Sequence, residues 1–212
     1  MIELLLVLVG GYLLGSISGA LLLGRLRGVD IRTMGSGNAG GTNALRTVGW
    51  RFALGVVLVD VGKGAAAAGL LPLAAPLVVT DPLDFTTLAA GGGVMAVIGH
   101  VWPVFFRFRG GKGAGTAVGA IAVVAPWCLA PLLLVWLVTL IGSGYVGLAT
   151  ILAGLSLVPS MWMLGPEPLP APLAFLAIGL AVLLVYTHRA NLARMRAGDE
   201  NRFDKARLIK RR

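Results

Sequence analysis

Long blocks of apolar residues alternate with short polar segments along the whole chain. A helix that crosses a bilayer needs roughly 20 mostly apolar residues, and blocks near this length indicate membrane spans. The candidate spans are residues 2–23, 52–71, 86–101, 114–141, 146–164 and 173–186. The pattern predicts an all-α integral membrane protein that forms a single domain over residues 1–212.

The composition supports a membrane protein and not a soluble one. Of the 212 residues, 57% are hydrophobic and 13% are charged, with a mean hydropathy of +0.88. Soluble domains carry about 25% charged residues. The single cysteine, Cys128, excludes a disulfide within the chain.

The basic residues predict the orientation. Half of the 18 Lys and Arg residues follow Tyr186, and the others lie mainly at 25–51 and 107–112, whereas 72–85 and 165–172 have none. By the positive-inside bias, the basic segments are cytoplasmic. The tail, residues 187–212, is then cytoplasmic, and its last ten residues are expected to contact anionic headgroups. This distribution, without interleaved aromatics in the tail, argues against nucleic-acid binding.

The orientation fixes the number of crossings. The block 114–141 begins on the cytoplasmic side, and two further spans follow it before the cytoplasmic tail. A single crossing by this block would leave the tail outside, so the block must cross twice. A break between Pro126 and Pro131 would divide it. The sequence therefore predicts seven transmembrane helices, with the N-terminus outside and the C-terminus cytoplasmic.

Three polar clusters lie on the predicted cytoplasmic side. They read MGSGNAGGTNALR (34–46), HVWPVFFRFRGGKGAGT (100–116) and HRANLARMRAGDE (188–200). Glycine-rich backbone can direct successive N–H groups at one anion, and Lys, Arg, Ser, Thr and Asn add donors. The three clusters indicate a phosphate-bearing ligand.

The glycines around Lys112 do not form a nucleotide-binding P-loop. A Walker loop needs Gly, four residues and then Gly-Lys-Ser/Thr, whereas Phe106 occupies the first glycine position and Gly113 follows the lysine. We therefore expect no ATP hydrolysis. No cluster of cysteines or carboxylates accompanies the two histidines, so we expect no metal site.

Two charges lie inside the second span. Asp60 and Lys63 are three residues apart on one helical face, which favours a mutual ion pair. The alternative is that they support the 34–46 cluster from behind. The aromatic run from Trp102 to Phe108 is interpreted as an anchor at the membrane interface.

The three clusters, with DVGKG at 60–64, resemble the bacterial membrane glycerol-3-phosphate acyltransferases that use acyl phosphate, the PlsY family. The resemblance covers nearly the whole chain. It implies transfer of an acyl group from acyl phosphate to sn-glycerol 3-phosphate, giving 1-acylglycerol 3-phosphate (lysophosphatidic acid) and phosphate, without a cofactor. It also implies a bacterial cytoplasmic membrane enzyme of phospholipid synthesis whose active site faces the cytoplasm among membrane lipids.

The resemblance implies the site residues. The candidates for catalysis are Lys112, His188 and Asn191. The candidates for substrate binding are Ser36, Asn38, Thr42, Asn43, Arg46, His100, Gly113, Thr116, Arg189, Arg194 and Glu200. One segment departs from the family, because GYVGLAT at 144–150 has Gly147 and Thr150 where the family usually has two serines.

Acyl phosphate is an activated mixed anhydride, so no covalent enzyme intermediate is required. Binding, orientation and charge stabilisation would supply much of the rate. His188, His100 or a substrate phosphate oxygen would accept the hydroxyl proton, and the sequence leaves these three open. A small organophosphate transporter is the alternative function, although the polar clusters lie on one side and no internal repeat is evident.

Overall fold

The computed structural model describes residues 1–203. Within that range the backbone forms helices and connections without a β-strand, in agreement with the predicted all-α fold. The α-helices are α1 Ile2–Gly15, α2 Gly19–Leu26, α3 Gly41–Thr47, α4 Trp50–Ala74, α5 Phe85–Val101, α6 Ala114–Val124, α7 Leu129–Ser143, α8 Val146–Leu164, α9 Ala171–Thr187 and α10 Arg189–Ala197. Short 3₁₀ turns occupy Ile31–Thr33, Ala75–Leu77, Val104–Phe106 and Pro126–Cys128.

Several helices are long and apolar enough to cross a membrane. Four segments of the described chain satisfy this by themselves, and two bent pairs, α1 with α2 and α9 with α10, satisfy it together. The four segments are Trp50–Leu77, Phe85–Phe106, Pro126–Ser143 and Val146–Leu164. Helix α6 is apolar but has only 11 residues. The protein is therefore an all-helical membrane protein with four to six candidate spans.

The chain forms two compact units, one of Met1–Pro126 and one that begins at Trp127. In the first unit α4 packs against α1, α5 and α6, and α1 also packs against α5. Small residues bring these backbones together, since a Cβ on Gly64 or Gly119 would collide with the carbonyl oxygen of Thr116 or Val61. In the second unit α8 packs against α7 and α9, and α10 lies on α8 and α9.

The first apolar block is not the single helix that residues 2–23 predict. It divides into α1 and α2, with a bend of 45° at residues 16–18. The break exposes backbone groups that α4 satisfies: Lys63 Nζ donates to the carbonyl oxygen of Ile17, and Asp60 Oδ1 accepts from the N–H of Gly19. Buried charged side chains thus replace the missing helical hydrogen bonds.

The predicted break in 114–141 is confirmed. Helix α6 ends at Val124, a 3₁₀ turn covers Pro126–Cys128, and α7 begins at Leu129. Proline lacks a backbone N–H and clashes with the preceding helical turn, so Pro126 stops α6 from continuing into α7.

The segment after Tyr186 contains a helix that its polar composition does not predict. Helix α10 follows α9 with a bend of 45°, and His188 lies at the junction. The expected contact of the last ten residues with anionic headgroups falls almost wholly on residues 204–212, which lie outside the described range.

Candidate functional site

The 34–46 cluster is a loop organised by the buried side chain of Asn43. Its Nδ2 donates to the carbonyl oxygens of Ile31, Met34 and Asn38 at 2.9–3.1 Å, and its Oδ1 accepts from the N–H of Ser36 at 3.0 Å. Three carbonyl oxygens thus surround the two N–H donors of the amide, and its oxygen accepts a further hydrogen bond. Asn43 therefore fixes the shape of the loop.

Other predicted residues of this loop are more accessible. Ser36 and Arg46 are exposed, whereas Asn38 and Thr42 are half-buried. Asn38 and Ser36 precede α3, and Arg46 lies in its last turn. The loop thus presents hydroxyl, amide and guanidinium groups at the surface of the first unit.

Lys112 lies immediately before α6. Gly113 is the N-cap of this helix, with φ +86°, a left-handed conformation that favours glycine. Lys112, directly before it, is half-buried. Thr116, in the first turn, is fully buried, and its Oγ1 has no hydrogen-bond partner within residues 1–203. Lys112 therefore sits at the positive end of a helix dipole.

The first two clusters meet at Gly111. A Cβ on this residue would collide with His100 Nε2 and would lie 2.7 Å from the carbonyl oxygen of Ala39. The N–H of Gly111 also donates to the carbonyl oxygen of His100 at 3.1 Å. Only glycine at position 111 allows the backbone to approach both His100 and Ala39 this closely.

Asp60, Lys63 and His100 form a buried network, each less than 10% exposed. Lys63 Nζ lies 3.1 Å from Asp60 Oδ1 and 2.8 Å from His100 Nδ1, and His100 Nδ1 lies 3.4 Å from Asp60 Oδ1. The predicted Asp60–Lys63 ion pair is confirmed. The sequence did not connect it with His100, because no local spacing relates positions 37 residues apart.

A cavity of about 630 Å³ opens beside the two clusters. It is lined by Asp30, Arg32, Thr33, Gly37, Arg107, Arg109 and Gly110. Arg32 pairs with Asp30 at 2.7 Å and donates to the carbonyl oxygens of Phe106 and Arg109, so it ties one cluster to the other. The hydrogen bonds from Arg32 hold the pKa of Asp30 below its usual range. Arg32 is a candidate that the sequence patterns missed.

In the second unit, His188 is buried at the junction of α9 and α10. Its Nδ1 lies 2.8 Å from the carbonyl oxygen of Leu184. A carbonyl can only accept, so Nδ1 carries the proton and Nε2 is the acceptor nitrogen of the neutral ring. This tautomer suits a general base that acts through Nε2.

Asn191 and Arg194 converge on Glu200. Asn191 Nδ2 donates to one oxygen of the buried carboxylate at 2.8 Å, and Arg194 Nε donates to the other at 2.7 Å. Arg189 is exposed and contacts the carbonyl oxygen and ring of Tyr186. Glu200 thus fixes the orientation of the Asn191 amide.

The departure at Gly147 has a structural counterpart. A Cβ at this position would lie 2.8–2.9 Å from Nδ2, Cβ and Cγ of Asn191, so Asn191 fills the space that a serine side chain would need. Thr150 donates to the carbonyl oxygen of Val146 and accepts from Trp136. Gly147 thus supplies no hydroxyl beside Asn191, and the hydroxyl of Thr150 is engaged with Val146 and Trp136.

The structure therefore brings the 34–46 and 100–116 clusters together in the first unit, and it places the 188–200 cluster in the second. Within residues 1–203, no group of three or more His, Cys, Asp or Glu side chains could hold a metal ion.

The chain is similar to known proteins over almost its full length. A family model described as glycerol-3-phosphate acyltransferase matches residues 5–198. Glycerol-3-phosphate acyltransferases of Chlorobium chlorochromatii (strain CaD3) and Shouchella clausii (strain KSM-K16) are 37% and 39% identical to it. These alignments cover 95% and 96% of this chain and 97% and 98% of the relatives.

Two solved structures are also similar. Both are crystal structures of PlsY, an integral membrane glycerol 3-phosphate acyltransferase, one in a glycerol 3-phosphate form and one in a lysophosphatidic acid form. Their TM-scores are 0.82 and 0.81, with 36% and 34% identity. The alignments cover 94% and 96% of this chain and 95% and 97% of those chains.

Proposed function

We propose, because the chain belongs to the glycerol-3-phosphate acyltransferase family, that its acyl donor is acyl phosphate. The chain transfers an acyl group to sn-glycerol 3-phosphate and gives lysophosphatidic acid. The observation that carries this conclusion is the likeness, at 34–36% identity over at least 94% of the chain, to structures in a glycerol 3-phosphate form and a lysophosphatidic acid form.

In the proposed reaction, the glycerol hydroxyl oxygen attacks the carbonyl carbon of acyl phosphate. A carbon–oxygen bond forms, the bond to phosphate breaks, and inorganic phosphate leaves with the electron pair. Both substrates carry phosphate, so the protein must bind two anions and stabilise the charge that develops on the carbonyl and leaving oxygens. The donor-rich clusters supply the groups for this chemistry.

We propose the role of each group in the first unit from its exposure and contacts. Lys112 binds a substrate phosphate and stabilises the departing charge, at the N-terminus of α6. Ser36, Asn38, Thr42 and Arg46 contribute further donors from the accessible loop. Gly113 and Thr116 are buried, and we assign them as donors from their position at the N-terminus of α6. Asn43 acts indirectly, because its amide holds the loop that carries Ser36 and Asn38.

In the second unit, we propose that His188 accepts the hydroxyl proton through Nε2. Asn191 orients a substrate oxygen with its amide, while Arg189 and Arg194 contribute positive charge. Glu200 positions Asn191 and Arg194, since both of its oxygens already accept from them.

Purified protein should form lysophosphatidic acid from acyl phosphate and glycerol 3-phosphate with ATP and divalent metal omitted. The anhydride already supplies the activation that ATP would provide, so no further energy source is needed. Product is measured by mass spectrometry in detergent, without a sealed compartment. Acyl-CoA and acyl-acyl carrier protein serve as matched donors, and turnover with either of these alone would overturn the donor proposal.

We propose seven crossings of the bacterial cytoplasmic membrane, with the N-terminus outside and both the C-terminus and the active site cytoplasmic. The basic segments and the break at Pro126 support this arrangement. In Cys128→Ser protein, single cysteines at Ser36 and Ala197 should resist an impermeant external thiol reagent, whereas one at Asp84 should react.

All three labelling positions are exposed, so accessibility to the reagent depends on the side of the membrane. Permeabilised cells provide the control, in which all three cysteines should react. External labelling at Ala197 in intact cells would contradict the seven-span arrangement.

A further inference from the structure

We infer that Lys63 holds His100 in the tautomer protonated at Nε2, so that His100 is a hydrogen-bond donor beside Gly111 and not the general base. This inference rests on the proposed acyl transfer for its functional part. Its structural part, the position of one proton, stands on the geometry of the buried network and can be measured without turnover.

The ammonium of Lys63 has three N–H donors and three neighbouring polar atoms. It lies 2.9 Å from the carbonyl oxygen of Ile17, 3.1 Å from Asp60 Oδ1 and 2.8 Å from His100 Nδ1. The first two partners can only accept. His100 Nδ1 lies closer to this ammonium, at 2.8 Å, than to Asp60 Oδ1, at 3.4 Å. The remaining ammonium hydrogen is therefore assigned to His100, so Nδ1 supplies a lone pair and the proton of the neutral ring resides on Nε2.

Asp60 completes this arrangement. Its Oδ1 also accepts from the N–H of Gly19 at 3.1 Å, so the carboxylate is held at the break between α1 and α2. A buried ion pair needs further hydrogen bonds to offset its desolvation, and the N–H of Gly19 and the carbonyl oxygen of Ile17 supply two of them. The pair therefore presents a fixed donor to His100 from a fixed position on α4.

The protonated face of His100 is directed at the second cluster. Gly111 is packed against Nε2, one residue before Lys112, and Gly115 in the first turn of α6 lies against the Cβ of Asp60. The network thus contacts both ends of the segment that carries Lys112. Asp60 and Lys63 are positioning residues for this segment, and His100 supplies the Nε2–H at its start.

The chain contains two histidines, so ¹⁵N-histidine labelling gives two imidazoles, and a His188→Gln variant identifies the signals of His100. Solid-state NMR of the protein in lipid bilayers at pH 7 should show His100 with a proton bonded to Nε2 and none on Nδ1. His188 should show the opposite pattern. A proton on Nδ1 of His100 in the wild type overturns the inference, whether or not the protein is active.

Variants test the functional part. A glutamine amide nitrogen reaches the place of Nε2, whereas an asparagine amide nitrogen lies at the place of Nδ1. We expect His100→Gln to retain most of the wild-type kcat. The kcat of His100→Asn should fall on the order of tenfold, the effect typical of removing a hydrogen-bond partner that lies one shell away from the reacting groups. Equal kcat in the two variants, with matched melting temperatures, overturns the donor role of Nε2.

Lys63→Met should release Nδ1 of His100, which then takes the proton and donates to Asp60. Since this variant leaves Asp60 buried without its ion pair, the double variant Asp60→Asn/Lys63→Met is the folded alternative. In either variant the Nδ1 signal should gain a proton, because the oxygen of the side chain at position 60, carboxylate or amide, is then the acceptor that lies beside Nδ1. A His100 signal that stays protonated only at Nε2 would show that Lys63 does not set the tautomer. The wild-type reaction with acyl phosphate tests the proposed function separately.

Discussion

Lys112→Ala should lower kcat about 100- to 1,000-fold, the usual cost of removing one preorganised donor from a transition state. The residue lies directly before α6, where Gly113 turns the backbone into the helix and the dipole already favours an anion. Its charge would stabilise the leaving phosphate more than bound acyl phosphate, because charge on the leaving oxygens grows during the reaction. The measurement is steady-state kinetics of purified protein with both substrates varied.

Lys112→Arg is the matched variant. Arginine restores the charge but replaces a compact ammonium by a planar guanidinium, which fits poorly between Gly111 and Gly113. We expect partial rescue, with kcat between those of the wild type and the alanine variant. Near-normal turnover in Lys112→Ala, at a melting temperature like that of the wild type, would remove this residue from the chemistry.

The helices were predictable to the extent that lipid imposes their length. Residues 146–164 agree with α8 at both ends, and 86–101 differs from α5 by one residue at its start. Both segments are mostly apolar, and Gly165 and Pro103 lie just beyond their C-terminal ends. The break at residues 16–18 escaped prediction because it is stabilised by Lys63, which lies 46 residues from Ile17 along the chain.

The same limit applies to the candidate site. Glycine, hydroxyl and basic residues are concentrated in three short segments, so the sequence located the clusters. It could not distinguish residues that face a ligand from residues that shape the loop. Asn43 and Glu200 resemble their neighbours in type, yet their hydrogen bonds are directed at Met34 and Ser36, and at Asn191 and Arg194. These partners lie within the same cluster, but which of them meet depends on the conformation of the loop, and residue type alone does not encode that conformation.

The geometry also separates two histidines that the sequence treated alike. Nδ1 of His100 faces an ammonium donor, whereas Nδ1 of His188 faces a carbonyl acceptor. We therefore propose that the neutral rings carry their protons on opposite nitrogens, and that of the two only His188 has an unprotonated Nε2 to act as a base. This difference turns three candidate proton acceptors into an ordered hypothesis, with His188 first and a substrate phosphate oxygen as its competitor.

His188→Ala should consequently lower kcat about 100- to 10,000-fold, the range that a general base contributes. The reason is the loss of a nitrogen that accepts the hydroxyl proton as the new ester bond forms. The alanine variant also loses the contact with the carbonyl oxygen of Leu184, so its melting temperature must be compared with that of the wild type. His188→Gln is the second variant, since its amide fills part of the space but cannot take the proton.

Added imidazole distinguishes proton transfer from a structural role. If His188 is the base, free imidazole should enter the space left in His188→Ala and restore turnover in a concentration-dependent manner. It should not accelerate His188→Gln, in which the amide occupies that space. If a substrate phosphate is the base instead, the glutamine variant should keep most of the wild-type kcat, and imidazole should leave both variants unchanged. That outcome would identify the substrate phosphate as the proton acceptor and give His188 a structural role at the junction of α9 and α10.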